Sequence, residues 1–289
     1  MTASARPVEA VVFDWGGTLT PWHEVDLPQQ WRVFARTVHG LPVEDPDMPV
    51  EDLAEADSLA MRIHEAEERA WRRGRETHES ASLAAILEEA GVDPAHDRHH
   101  LALAAYQRFW EPHTHTDEQV RPLWKSLRRR GIRIGVLSNT IWTRDYHREV
   151  FERDGVLHLL DADVYSSEIH VVKPHPDAFR SACDALGVAP ENAVYVGDRL
   201  FEDVHGPHQV GMRAILVPHS DIPAGQRTSV VARPDAVADE LLDVAGIVAL
   251  WNHEARTDDA VDAVDAQAPD ADAEAPVDSD SEAMAVDRA

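Results

Sequence analysis

Val11-Val12-Phe13-Asp14-Trp15-Gly16-Gly17-Thr18-Leu19-Thr20 is the stretch that decides how this chain folds, because a short apolar run delivers a carboxylate straight into a glycine-rich turn. Val11, Val12 and Phe13 read as a strand buried on both faces, the kind found in parallel sheets. Gly16 and Gly17 let the backbone bend tightly and come close to a ligand. Taken alone, the stretch fits an ordinary buried strand and polar turn as well as it fits a functional acid at a strand end. Segments further along decide between the two.

Downstream of this strand the spacing of apolar residues turns helical, from Gln29 to about Thr116. WRVFARTVHG closes on a glycine, VEDLAEADSLAMRIHEAEERAWRRG is long and amphipathic, SASLAAILEEAG closes on another glycine, and LALAAYQRFW adds a fourth helix. Ser80 or Ser82 caps the third helix, and no strand separates the four. Trp31, Met61, Trp71 and Trp110 read as packing residues. The histidines of this region (His39, His64, His78, His96, His99, His100, His113, His115) lack a matched carboxylate at helical spacing and read as solvated or structural rather than as metal ligands.

At Arg121 the pattern changes to alternating helix and strand. PLWKSLRRRG is a helix whose Arg128, Arg129 and Arg130 favour the C-terminal dipole and whose Gly131 supplies the cap. IRIGVLSNT is a strand, TRDYHREVFERDG a helix, DADVYSS a strand, PDAFRSACDALG a helix, AVYVGD a strand, VHGPHQVG a short helix and RAILVP a strand. Such β-α repetition implies a parallel sheet with helices on both faces and a ligand at the carboxyl ends of its strands. Asp14, Ser138 and Asp198 each end a predicted strand, so the fold itself would gather them.

Composition narrows the function further. A formal net charge of −26 over 289 residues excludes the basic footprint that nucleic-acid binding requires. Cys183 is the only cysteine, which rules out an intrachain disulfide and a cysteine-based metal site and points to a reducing compartment. MTASARPVEA lacks the apolar core of a signal peptide and no run reaches bilayer length, so no membrane association is predicted and the cytoplasm is the expected location. Lysine is rare: only Lys125 and Lys173 occur. ADELLDVAGIVALWNH is a final helix, and from Glu254 onward twelve acidic residues face only Arg256 and Arg288. That segment, 254–289, is predicted to be a disordered, solubilising tail, and the sequence names no protein partner for it.

Four pieces line up in chain order: Asp14 in FDWGGTLT, Ser138 in VLSNT, Lys173 in VVKPHPDAF, and Asp198 with Asp203 in VGDRLFED. Over about residues 9–250 this set resembles the haloacid dehalogenase (HAD) superfamily, in the subgroup (C1) whose helical cap is inserted just after the first strand. The resemblance implies an α/β fold: a Rossmann-like parallel sheet with helices on both faces, plus an inserted all-helical cap domain. The core would comprise 1–20 and 117–253 and the cap 21–116. It also implies roles. Asp14 is the nucleophile, and Asp14, Asp198, Asp203 (directly or through water) and the Gly16 carbonyl hold Mg²⁺. Ser138 and the backbone N–H groups of Trp15, Gly16 and Asn139 cradle the phosphoryl oxygens, and Lys173 places a positive charge beside them. The implied substrate is a small phosphorylated metabolite.

The chain departs from the common phosphatase pattern at Gly16, where a second aspartate usually acts as general acid. A glycine offers a carbonyl but transfers no proton. Good leaving groups are therefore favoured. His23, Glu24 and His175 are candidate replacement acids. Dehalogenases and phosphonatases also lack the second aspartate. The phosphonatases use a cap lysine as a Schiff base and this chain has no lysine in residues 1–124, while the dehalogenases work without the metal that GDRLFED is built to bind. The alternative from another class is a catalytically degenerate HAD-fold protein that binds a phosphorylated ligand or a protein.

Overall fold

The structure is a computed structural model that describes residues 6–22, 25–43, 49–218 and 232–265. Six parallel strands form one sheet: β1 (Ala10–Phe13), β2 (Arg133–Ser138), β3 (Ala162–Tyr165), β4 (Ala193–Gly197), β5 (Arg213–Leu216) and β6 (Ala236–Val237). Their spatial order is β3-β2-β1-β4-β5-β6, which puts β1 at the point where the chain switches direction of winding.

β1 shows why an unbroken apolar run belongs at the centre of such a sheet. Val11 and Phe13 point into a core built by α5 (Val120–Arg129), α6 (Arg144–Arg153) and α10 (Asp243–Asp265), with Phe13 and Trp124 rings 6.0 Å apart. Ala10 and Val12 point to the other face, against Phe179, Ala182 and Cys183 of α8 (Pro176–Leu186). Both faces are covered, so no position of β1 is free to be polar. The first polar residue falls beyond its end, at Asp14.

Between β1 and α5 lie four helices, α1 (Leu27–Val38), α2 (Val50–Thr77), α3 (Leu83–Glu89) and α4 (His99–Trp110), with α1 packed on α2 and α4. Asp26 caps α1 through Gln29 N–H (3.3 Å), and Ser82, one of the two expected candidates, caps α3 through Ala85 N–H (3.2 Å). Trp31 is fully buried, stacked on Tyr106 at 5.0 Å, whereas Met61 is 60% exposed and lies outside the buried core, contrary to the sequence reading. The chain returns to the core at Asp117, whose N–H donates to the Leu19 carbonyl at 2.8 Å.

The carboxyl-terminal part differs from expectation in two ways. A sixth strand, β6, which the sequence reading did not foresee, occupies Ala236–Val237 and pairs with Ile215 and Leu216, and the final helix, predicted to begin at 238, begins at Asp243. Two residues carry no readable periodicity. The final helix also continues past His253 to Asp265, into the stretch read as disordered tail. Its continuation is physically reasonable: Ala255 is buried, the Thr257 hydroxyl donates to the Glu254 carbonyl at 2.7 Å, and no glycine or proline interrupts the chain before Pro269. Residues 266–289 of the expected tail lie outside the described residues. No described helix is long and apolar enough to cross a membrane.

Candidate active site

Strand register brings the predicted residues to one edge of the sheet. Phe13 pairs with Val136 of β2 and with Val196 of β4, so Asp14 stands level with Leu137 and Gly197, and Ser138 and Asp198 each lie one residue further along. The Asp14 N–H donates to the Val196 carbonyl at 2.9 Å, extending the ladder by one bond. Asp203 follows on a π-helical turn, Leu200–His205. It can lie under the strand end because residue 197 is glycine: a Cβ there would stand 2.4 Å from the Asp203 carboxyl carbon.

Lys173 joins these pieces. Its Nζ donates to Asp203 Oδ1 (2.7 Å) and the Tyr195 hydroxyl (2.7 Å) and forms an ion pair with Asp14 Oδ1 at 2.9 Å. The Tyr195 hydroxyl donates onward to the Leu137 carbonyl at 2.8 Å, turning its lone pair toward the lysine. Asn139 fixes the same loop from above: its side-chain amide donates to the Lys173 carbonyl (3.1 Å) and accepts from the Lys173 N–H (2.8 Å). Sequence reasoning missed Tyr195. Its only local signal is one hydroxyl in the otherwise apolar run AVYVG.

Asp14, Asp198, Asp203 and Lys173 are all buried, so charge balance governs their chemistry. Burial pulls the Lys173 ammonium down, but the charges of Asp14 and Asp203 outweigh it and hold its pKa above the ordinary range. Burial also pushes the Asp14 carboxyl up, against the pull of Lys173. Asp198 is raised to about 7, by burial first and then by repulsion from Asp203 and Asp14. Its Oδ2 accepts from the Trp22 indole N–H at 3.2 Å, and its Oδ1 is buried without a partner. Both Asp203 oxygens are occupied, Oδ1 by Lys173 and Oδ2 by the Arg199 N–H at 3.0 Å.

This donor set fits a hard divalent cation. Carboxylate oxygens of Asp14, Asp198 and Asp203 lie within 4.8 Å of one another, three acids face one ammonium, and Asp198 Oδ1 awaits a partner. The turn after Asp14 is compatible with it too. Thr20 N–H donates to the Trp15 carbonyl (2.9 Å) and Gly17 N–H to the Thr20 carbonyl (2.7 Å), and this closure does not use the Gly16 carbonyl.

Gly16 and Gly17 have different reasons to be glycine. A Cβ at Gly16 would meet nothing within 4 Å. At Gly17 the backbone has φ +85° and a Cβ would lie 2.2 Å from Trp22 Nε1 and 2.5 Å from Asp198 Oδ2. Gly17→Ala is therefore expected to lose about 1–2 kcal/mol from the left-handed backbone alone, with further loss as Trp22 and Asp198 move, measured by urea denaturation. A wild-type midpoint would refute the close-approach argument.

The remaining candidates are placed as follows. Ser138 is buried at the end of β2, paired with Tyr165 of β3. The Trp15 ring is a packing group, edge-on to His147 (4.6 Å) and Trp142 (5.6 Å). His147 is held neutral by burial, its pKa pushed down to about 3. His175 caps α8, its Nδ1 accepting from the Asp177 N–H at 3.2 Å. His23 and Glu24, the other candidate acids, lie outside the described residues.

The acid cluster has a measurable consequence. In cation-free protein Asp198 is raised from 3.8 to about 7, so between about pH 4 and pH 7 the folded state binds more protons than the unfolded state. Stability should fall as pH rises through that window, by about 1 kcal/mol per pH unit. Asp198→Asn should make this slope shallower, and parallel stability–pH curves for the two proteins would contradict the assignment.

Comparison with known proteins places the chain in a family. The haloacid dehalogenase-like hydrolase family profile matches residues 8–211, well over half of the chain. The chain belongs to that family. Among solved structures the HAD phosphatase of Thermococcus onnurineus superimposes with a TM-score of 0.54 at 22% identity, covering 83% of this chain and 98% of that one. The 2-haloacid dehalogenase of Pseudomonas syringae pv. Tomato superimposes with 0.56 at 22% identity, covering 84% and 99%. At such identity these two show that the HAD fold is shared. In sequence, the chain is 33% identical over 132 residues to the glyceraldehyde 3-phosphate phosphatase of Methanopyrus kandleri, covering 46% of this chain and 56% of that protein. It is 40% identical over 90 residues to the phosphoserine phosphatase of Thermus thermophilus, covering 31% and 35%. The matched stretches thus span about half or less of these HAD relatives' own lengths.

Proposed function

We propose that this HAD hydrolase is a Mg²⁺-dependent phosphatase of the C1, helical-cap subgroup, acting on a small phosphorylated metabolite in the cytoplasm through an aspartyl-phosphate on Asp14. The observation that carries the reading is the buried contact of Lys173 with both Asp14 and Asp203, beside Asp198. The partial likeness to a glyceraldehyde 3-phosphate phosphatase and a phosphoserine phosphatase supports it.

Asp14 attacks the phosphorus, the bond to the leaving oxygen breaks, and the leaving group departs with that bond's electron pair. Water then cleaves the aspartyl-phosphate, releasing inorganic phosphate and restoring the carboxylate. Lys173 holds Asp14 ionised and in place, and its charge offsets that of the incoming phosphoryl group. It is already held by Asp14, Asp203 and Tyr195, so it acts by charge, and hydrogen bonding of phosphoryl oxygens falls to Ser138 and to the backbone N–H groups of Trp15, Gly16 and Asn139. Asp14, Asp198 and the Gly16 carbonyl, with Asp203 in support, would hold Mg²⁺, which would supply positive charge against the phosphoryl oxygens. Because Gly16 has no side chain to donate a proton, a leaving oxygen that departs as a stable anion is favoured. This favours acyl and aryl phosphates over alkyl ones.

The test is a panel of acyl, aryl and sugar phosphates, each assayed with and without Mg²⁺. Turnover that requires Mg²⁺ and follows the order of leaving-group acidity supports the proposal. Binding of phosphorylated ligands with no turnover on any of them replaces it with the degenerate, ligand-binding reading that Gly16 keeps open.

A further inference from the structure

Trp22 sits where the turn after β1 meets the turn after β4. Its indole N–H donates to Asp198 Oδ2 at 3.2 Å, across 176 residues of chain. The Arg199 guanidinium lies over its ring, 5.4 Å from the centroid. The pyrrole edge fills the notch at Gly17, where a Cβ would stand 2.2 Å from Nε1 and 2.7 Å from Cδ1. The side chain is nevertheless partly exposed, so its outer edge forms a solvent-side wall of the acid cluster.

This contact sorts the two oxygens of one carboxylate. Oδ2 is tied to Trp22 and Oδ1 is buried and unpartnered. A carboxyl group fixed at one oxygen presents the other in a set direction, and partners that orient a metal ligand in this way control affinity. The donor is neutral. A lysine or arginine in its place would orient Asp198 equally well but would repel a cation bound beside it, whereas an indole N–H orients the carboxylate with no added charge.

We propose that Trp22 is a positioning residue for the cation site, holding Asp198 by Oδ2 so that Oδ1 is presented to Mg²⁺. The inference rests on the metal-dependent reading above. Trp22→Phe keeps a ring against Gly17 and deletes the N–H. Calorimetric titration of Mg²⁺ into metal-stripped protein should show about 10-fold weaker binding for this variant. Trp110→Phe, which loses an indole N–H bonded to Gln30 Oε1 (2.9 Å) in the helical insertion, should bind as wild type. Turnover of an acyl phosphate by Trp22→Phe should be low at limiting Mg²⁺ and return to the wild-type kcat at saturating Mg²⁺. Wild-type affinity in Trp22→Phe, or an equal loss in Trp110→Phe, overturns the role of Trp22 and leaves the phosphatase reading intact. Absence of Mg²⁺ binding by the wild type overturns both.

Discussion

Asp14→Asn is expected to reduce turnover by at least about 10⁴-fold on every substrate in the panel, the scale seen when a nucleophile is removed from a covalent mechanism. The amide is nearly isosteric, so the turn closed by Trp15, Gly17 and Thr20 should survive. The electrostatics would not. Lys173 loses one of its two carboxylate partners, and Asn cannot form the phosphoenzyme. Quenched samples of the wild type incubated with an acyl phosphate should carry a phosphoryl group on Asp14, detectable by mass spectrometry, and the variant should carry none. Residual turnover within 10-fold of wild type would show that Asp14 is not the nucleophile.

Gly16→Asp should act in the opposite direction. Nothing within 4 Å opposes a Cβ at this position, and the turn's closing hydrogen bonds do not use Gly16, so a side chain can start here without displacing backbone. It would supply the proton that an alkoxide leaving group requires. An increase of about 10²–10⁴ in kcat/KM is expected for alkyl phosphates, the usual range for a general acid. Acyl phosphates, whose leaving groups depart as carboxylates, should change little. Equal effects on both classes would show that proton transfer does not limit the natural enzyme. The contrast with Gly17 is instructive, since the neighbouring glycine has both a left-handed backbone and an indole against it.

Some errors of the sequence reading share a cause with its successes. Helices and long strands announce themselves because packing against a core imposes a period on many residues at once. β1, α5 and α8 were legible for that reason, as was the four-helix insertion after the first strand. β6 is two residues long and leaves no such period. The extension of the last helix to Asp265 was hidden by composition: its acidic residues read as tail, while burial of Ala255 cannot be seen without the surface it packs on. Met61 lies on a helix whose apolar face could be drawn either way until α1 and α4 were in place.

By itself the sequence determined the α/β architecture and the strand ends at which Asp14, Ser138 and Asp198 stand, because chain order and apolar period are local properties. Only the tertiary structure decided how those groups are wired. That Lys173 also donates to Tyr195, that Asn139 clasps the backbone of Lys173, and that Trp22 takes one oxygen of Asp198 while leaving the other bare are all contacts between distant segments. A hydrogen bond across 22 or 176 residues imposes no pattern on its neighbours in the chain. It exists because parallel strands in fixed register bring their carboxyl ends to one edge, and burial there makes each polar atom find a partner or await one.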